Sequence, residues 1–372
     1  MTKRSDKCIV LLFCLTLGLM LLLFLLLPKR SWSGREKRFL APAPELRLAD
    51  VLSGRFAEDA ESYAADHLPG RDALVGLQAR FLLLTGRQST REVILCRDGR
   101  LVEAPVPFDE AVLAGNMEVL RAFAEAAPCP VDLMLVPSAG AVLSEQLPPL
   151  AGPYEDAAIL SAAASLAGDK LGTVDLLGPF AGAEDPGSLY YRTDHHWSSR
   201  GAWLACETYL SSLGRQALPA EAYARREIPG FLGSTYARGG FWDLPGESLE
   251  LWDSGGLFLA ENAETPGVHA GLFYEERLAE DDKYPVFLDG NHSLVRVRGE
   301  SGGRGRLLVI RDSFGSSLGC FLADSWEELV LVDLRYYRQS VSELLAAEDF
   351  DRVLILYSVG NFMSDSNIRN LD

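Results

Sequence analysis

The residues best suited to chemistry sit in Tyr190-Tyr191-Arg192-Thr193-Asp194-His195-His196-Trp197, where an acid adjoins two of the chain's five histidines. Asp194 and His196 are two apart on a loop that feeds a helix, so their side chains can project the same way. A carboxylate at that spacing accepts the imidazole Nδ1–H, fixes the tautomer and stabilises the cation, leaving Nε2 as a base. Such a pair is half of a nucleophilic apparatus. The other half is a hydroxyl or thiol delivered from elsewhere in the chain.

Ser313 is the candidate for that half. It lies in Arg311-Asp312-Ser313-Phe314-Gly315, where the apolar run Leu307-Leu308-Val309-Ile310 ends and a helical pattern begins. In open α/β sheets, ligands collect at the carboxyl ends of strands, and helix N-terminal N–H groups there can meet an oxyanion. Gly315 permits a tight turn between strand and helix. The same position also suits a serine N-cap. Combined with Asp194 and His196, the chain offers Ser313 as nucleophile, His196 as base and Asp194 as orienter; triads are recognised by geometry, not by chain order.

Further candidates surround these three. Phe314 and Gly315 can offer backbone N–H groups to an oxyanion, and Asn291 and Asn361 can offer side-chain amides. His195 is a substrate or structural contact, Trp197 a platform on which a sugar could stack, and Tyr191, with Arg192, a lining residue of the cleft. Asp194, His195 and His196 are also potential metal ligands, which His292 could join. No H-E-x-x-H helix accompanies them, so neither a metal nor another cofactor is expected.

The elements that position these residues follow from pattern. After residue 199, Ala202, Trp203, Cys206, Tyr209 and Leu210 mark one face of a helix, with Ser198 or Ser199 as its N-cap. Apolar runs at 131–136, 173–177, 306–310, 329–334 and 352–359 read as buried strands alternating with helices, which indicates a mostly parallel sheet covered on both faces. Residues from about 216 to 301 are rich in Gly, Pro and aromatics and read as an insertion of irregular connections and short hairpins beside that sheet. From Arg55 a short helix, the break Pro69-Gly70 and a second helix running to about Leu84 are expected, with His67 at the break reading as a capping or packing histidine. Residues 93–102 form a hairpin with Asp98-Gly99 in its turn.

Residues 8–27 are an unbroken apolar stretch, long enough to cross a bilayer as a helix. Lys29-Arg30-Ser31-Trp32 follows without a small-residue cleavage pattern, so the segment reads as an uncleaved signal anchor. The expected organisation is a cytoplasmic tail (1–7), the anchor (8–27), a juxtamembrane linker (28–50) and an extracytoplasmic domain (51–372). The formal net charge is −17 although Lys3, Arg4, Lys7, Lys29, Arg30, Arg35, Lys37 and Arg38 flank the anchor. The remainder is therefore more acidic still and repels nucleic acid. The six cysteines are scattered without a C-x-x-C pair; Cys96, Cys129, Cys206 and Cys320 read as buried free thiols by default, and one disulfide among them stays open for a domain outside the cytosol.

Thr193-Asp194-His195-His196-Trp197 resembles the signature of the DHHW family of membrane-anchored bacterial proteins. Asp66-His67-Leu68-Pro69-Gly70-Arg71-Asp72, Gly233-Ser234-Thr235-Tyr236, Phe287-Leu288-Asp289-Gly290-Asn291-His292, Val309-Ile310-Arg311-Asp312-Ser313-Phe314, Val332-Asp333-Leu334-Arg335-Tyr336-Tyr337 and Leu356-Tyr357-Ser358-Val359-Gly360-Asn361-Phe362 resemble the same family. More distantly, the chain is similar to alginate O-acetyltransferases of SGNH-hydrolase-like fold, which carry an Asp-x-His pair and a later Ser. The resemblance implies a three-layer α/β sandwich behind one transmembrane helix, and Asp194, His196 and Ser313 as triad. It also implies O-acyl transfer, acetyl for preference, to a cell-envelope polysaccharide outside the cytoplasm, beside a membrane-bound O-acyltransferase that supplies the acyl group. Ester hydrolysis by the same triad and non-catalytic glycan binding are the alternatives.

Overall fold

A computed structural model of the chain describes residues 3–300 and 303–371. Met1 and Thr2 of the expected tail, Ser301 at the end of the expected insertion, and Asp372 lie outside the described residues. The described chain divides into two compact units, one of residues 1–87 with 240–243 and one of residues 88–239 with 244–372.

The first unit opens with helix α1 (Lys3–Leu26). Within it, Ser5–Leu26 is long and apolar enough to cross a membrane, with a mean hydropathy of 3.1. One such helix fits a single-pass anchor. Helices Arg55–Asp66 and Arg71–Leu84 follow, with His67 at the first one's end, donating from its backbone N–H to the Tyr63 carbonyl and setting its ring, tilted by 54°, against that of Tyr63. The residues between anchor and helices are more structured than a linker. Arg38 pairs with Asp66, Arg71 pairs with Glu36, and Trp32–Ser33 lies antiparallel to Arg38–Phe39. These contacts all lie within the first unit.

The second unit is a mixed α/β fold around an eight-stranded sheet. Its strands are β1 (Val131–Val136), β2 (Leu171–Val174), β3 (Phe258–Asn262), β4 (His269–Ala270), β5 (Leu294–Gly299), β6 (Arg306–Arg311), β7 (Glu328–Val332) and β8 (Arg352–Ser358). They lie in the order β4-β3-β5-β7-β6-β8-β1-β2. β7, β6, β8, β1 and β2 run parallel, and β5, β3 and β4 extend the β7 edge antiparallel. The parallel strands are buried on both sides, which is why they read as continuous apolar runs. Leu307, Val309, Leu354 and Leu356 face helices α4 (Ser199–Ser212) and α5 (Phe314–Leu322). Leu308, Ile310, Val353 and Ile355 face the opposite layer, built on helices α2 (Glu110–Ala126), α3 (Asp156–Leu166), α6 (Val341–Ala347) and α7 (Val359–Ser364). The result is a three-layer sandwich.

The segment expected as an irregular insertion contributes three strands to this sheet. In β5, Val295 and Val297 point into the core while Arg296 and Arg298 reach Glu328 on the other face. That alternation is the mark of a half-exposed antiparallel strand. A separate antiparallel ladder, Ala224–Phe231 with Glu247–Asp253, leads out of the same region.

Leu308 is fully buried in the layer away from α4 and α5. Leu308→Ala is expected to cost about 2–5 kcal/mol through lost burial and the cavity left behind. Equilibrium unfolding of the full chain in detergent, followed by near-UV circular dichroism, measures it.

Candidate active site

Two loops meet at the carboxyl ends of the parallel strands. The first runs from Tyr190 into α4. Ser198 caps this helix by accepting the Gly201 N–H, and Gly201 itself is required, since a Cβ there would lie 2.2 Å from the Leu189 carbonyl oxygen. The loop is pinned from outside by Glu247, whose carboxylate accepts the N–H groups of Arg192 and Thr193 and the Thr193 hydroxyl. The second loop is the turn from β6 into α5.

Between them, Asp194 Oδ1 accepts the His196 backbone N–H at 2.8 Å and His196 Nδ1–H at 2.6 Å, and Asp194 Oδ2 accepts the Ser234 N–H at 2.7 Å. Because the carboxylate only accepts, Nδ1 carries the proton and Nε2 presents a lone pair. Ser313 Oγ lies 2.7 Å from that Nε2. Desolvation works against the charge on buried Asp194, yet the imidazoles of His196 and His195, with the hydrogen bonds from His196 and Ser234, outweigh it and hold the carboxyl well below its usual range. Gly233 makes this approach possible: a Cβ there would stand 2.2 Å from Asp194 Cβ.

The Ser313 hydroxyl does not cap α5. That work falls to Asp312, whose Oδ1 accepts the Phe314 N–H at 3.0 Å, while its Oδ2 accepts the Ser358 N–H and the Asn361 side-chain amide, each at 2.8 Å. One carboxylate thus ties the β6 turn to the β8 turn and frees the neighbouring hydroxyl. The Ser313 N–H has no partner among the described residues.

The surroundings correct several sequence expectations. The Phe314 N–H is engaged by the Asp312 carboxylate and the Gly315 N–H by the Asp312 carbonyl, so neither is a free oxyanion donor. Gly315 serves close packing instead of a tight turn, because a Cβ there would lie 2.7 Å from Arg311 Cβ. The Asn361 amide is directed at Asp312, and Asn291 accepts from fully buried Arg311 through Oδ1. Trp197 is fully buried, with Nε1–H donated to Ser317 Oγ at 2.8 Å, and offers no face to a sugar. Tyr191 packs edge-on against Phe231 and lines a different cleft of about 790 Å³ with Arg100 and Trp252. His292 lies between Asp289 and Glu264, whereas the ligand atoms of Asp194, His195 and His196 fall within 4.8 Å of one another. In that trio, Asp194 and His196 are already bonded to each other, and His195 Nδ1 to the Ser234 hydroxyl.

His195 is a direct neighbour of the centre. Its Nδ1 lies 2.5 Å from Ser234 Oγ and its ring 3.8 Å from that of His196. Burial and the adjacent His196 push its pKa down. With Phe314, Glu103, Ser138, Ser358 and Gly360 it lines a small cavity of about 30 Å³, enough to admit water. Glu103 stays below the usual carboxylate range: desolvation opposes its charge, and His195 and Arg238 overcome that. Sequence reasoning missed Asp312, Ser234 and Glu103 here. For the first two a signal was present, since both lie inside the family-like motifs, Asp312 directly beside Ser313.

Comparison with known proteins finds likenesses in sequence and in fold. Residues 183–332 match the model of the DHHW protein family, and residues 110–230 match that of the SGNH hydrolase-like domain of the acetyltransferase AlgX. Among curated proteins none matches this chain. The structure of PatB1 from Bacillus cereus with a sulfonyl adduct superposes with a TM-score of 0.64 at 21% identity, covering 75% of this chain and 98% of that one. A second structure of Bacillus cereus PatB1 gives 0.63 at 19% identity, covering 75% and 99%. A DHHW family protein from Eubacterium siraeum gives 0.68 at 20% identity, covering 76% of this chain and 96% of that one. Over residues 183–332 in sequence, and over three quarters of its length in fold, the chain is similar to DHHW proteins.

Proposed function

We propose that the chain is a membrane-anchored serine O-acyltransferase working outside the cytoplasm on a cell-envelope polysaccharide, with Ser313, His196 and Asp194 as its triad. The observation that carries the reading is the unbroken line of hydrogen bonds from Asp194 Oδ1 through the His196 ring to Ser313 Oγ, 2.6 and 2.7 Å long. The likeness of residues 110–230 to an acetyltransferase domain supports acetyl as the acyl group.

The Ser313 hydroxyl proton passes to His196 Nε2 as Oγ attacks the acyl carbonyl carbon, and Asp194 holds the imidazolium. The tetrahedral oxyanion is met by the Ser313 N–H, whose partnerless state fits that role. Collapse expels the donor's leaving group, which takes the proton back from His196 and leaves an ester on Oγ. A sugar hydroxyl then gives its proton to Nε2, attacks the ester carbonyl and departs acylated, and Oγ recovers the proton. The anchor α1 keeps this chemistry at the membrane, where a membrane-bound O-acyltransferase supplies the acyl group.

A sulfonyl fluoride tests the nucleophile, and PatB1, similar in fold, has been seen with a sulfonyl adduct. Labelling of the full chain in detergent is expected to vanish in Ser313→Ala and to slow at least about 10³-fold in His196→Ala. Absence of labelling in the intact protein would leave a glycan-binding module. With p-nitrophenyl acetate as donor, mass spectrometry of an added oligosaccharide separates transfer from hydrolysis: acetate release that ignores the sugar makes the protein an esterase.

Asp194 adds a pH signature. Its folded pKa is depressed, so the unfolded carboxyl, near pH 4, takes up a proton first on acidification. The stability it contributes is complete above about pH 5 and is lost as pH falls through the folded value. The advantage of wild type over Asp194→Asn in equilibrium unfolding should therefore shrink below about pH 4. A difference that stays constant down to about pH 3 would contradict the buried charge.

A further inference from the structure

Tyr284 lies far from either loop in sequence and stacks face to face on His196. The ring centroids are 3.8 Å apart and the planes differ by 6°. His195 covers the opposite face of the same imidazole at 3.8 Å. With Nδ1 held by Asp194 and both faces covered, the ring can neither flip nor tilt without losing contacts. Nε2 is the one polar edge left to react.

Tyr284 is itself held with care. Its hydroxyl shares a hydrogen bond with Ser317 Oγ at 3.0 Å, and that oxygen also accepts Trp197 Nε1–H. Ser317 is one helical turn after Ser313, so a single short helix carries both the candidate nucleophile and the peg that fixes the stacking ring. Burial keeps the phenol protonated. On the backbone side, Tyr284 opens the turn Tyr284–Val286, which precedes Leu288 and Asp289, both in the left-handed region at φ +52° and +62°. Asp289 secures that shape by accepting from Arg277 Nε at 2.7 Å and bonding His292 Nε2 at 2.8 Å, and Gly290 gives its carbonyl to Arg311. The Leu288–His292 motif thereby clamps the segment that presents Tyr284 to the imidazole.

Resting on the proposed acyl transfer, we propose that Tyr284 is a positioning residue of the reaction, acting through its ring face on His196. The stacked face keeps Nε2 aimed at Ser313 Oγ and favours the positive charge that His196 gains when it takes the hydroxyl proton. Its hydroxyl anchors the ring, to Ser317 Oγ at 3.0 Å and by donating to the Ser313 carbonyl at 3.4 Å. Removing the face leaves substrate binding intact and slows proton transfer, since misplacement near 1 Å in a catalytic group can cost about 100-fold.

The test is the p-nitrophenol burst of the full-length protein with p-nitrophenyl acetate, together with melting temperature. Tyr284→Leu should lower the acylation rate about 10- to 100-fold while KM and melting temperature stay close to wild type. Tyr284→Phe, which keeps the face, should retain most of the rate. Tyr284→Met replaces the leucine variant should that one fail to fold. A wild-type rate in the variant without the ring, or a loss in Tyr284→Phe as deep as in Tyr284→Leu, overturns the role of the stack while Ser313→Ala still abolishes the burst. A burst that survives Ser313→Ala overturns both this inference and the acyl-transfer reading beneath it.

Discussion

A negative charge buried at Asp194 governs the architecture of this site. Taking a carboxylate out of water costs several kcal/mol unless donors and positive charge replace the lost hydration. Here the replacements are two backbone N–H groups, one imidazole N–H and a second imidazole close by. The requirement propagates outward. Position 233 must be glycine for the chain to come near enough, the Ser234 N–H must point inward, and Thr193 must be tied by Glu247 so that the loop cannot swing. The tautomer of His196 is then a consequence of this packing.

A second carboxylate does comparable work on the other loop. Asp312 gathers the Phe314 and Ser358 N–H groups and the Asn361 amide, which sets the turns after β6 and β8 against each other. By taking over the start of α5, it relieves Ser313 of the capping role that its position would otherwise suggest. Behind it, Arg311 is fully buried and gives its guanidinium to Gly290, Asn291 and Ser316, and the close approach of Gly315 makes room for its stem. The Ser313 hydroxyl is thereby left to its hydrogen bond with His196, because Asp312 takes up the first N–H of the helix.

What could be read from the sequence was local. Asp194 and His196 are two residues apart, and Ser313 ends an apolar run, so residue type and short spacing were enough to single them out. The parallel strands were equally plain, since burial on both faces writes itself as unbroken Leu, Val and Ile. Roles that depend on a fold-wide meeting were hidden. Asn361 looked like a free donor until Asp312 was seen beside it, and Trp197 looked like a sugar platform until Ser317 and Phe314 enclosed it. Gly315 was assigned to a turn although the reason for it is the Arg311 side chain. Short hairpins are legible after residue 257, but not their place in the main sheet, because aromatics and glycines mask a short alternation such as Val295-Arg296-Val297-Arg298.

The same segment explains why a parallel sheet needed an antiparallel extension. β3 and β5 bracket residues 263–293, and their pairing on the β7 edge returns that long excursion to the sheet. The excursion carries Tyr284 onto one face of the His196 ring, while His195 covers the other from within the motif itself. In the proposed reaction, an imidazole enclosed on both faces and capped at Nδ1 can exchange protons only along the Nε2 edge. Any incoming hydroxyl must then arrive where Ser313 Oγ already points. That geometry favours an acceptor held by its own contacts over a freely tumbling water, since a bound hydroxyl has already lost the freedom that a water must give up on arrival.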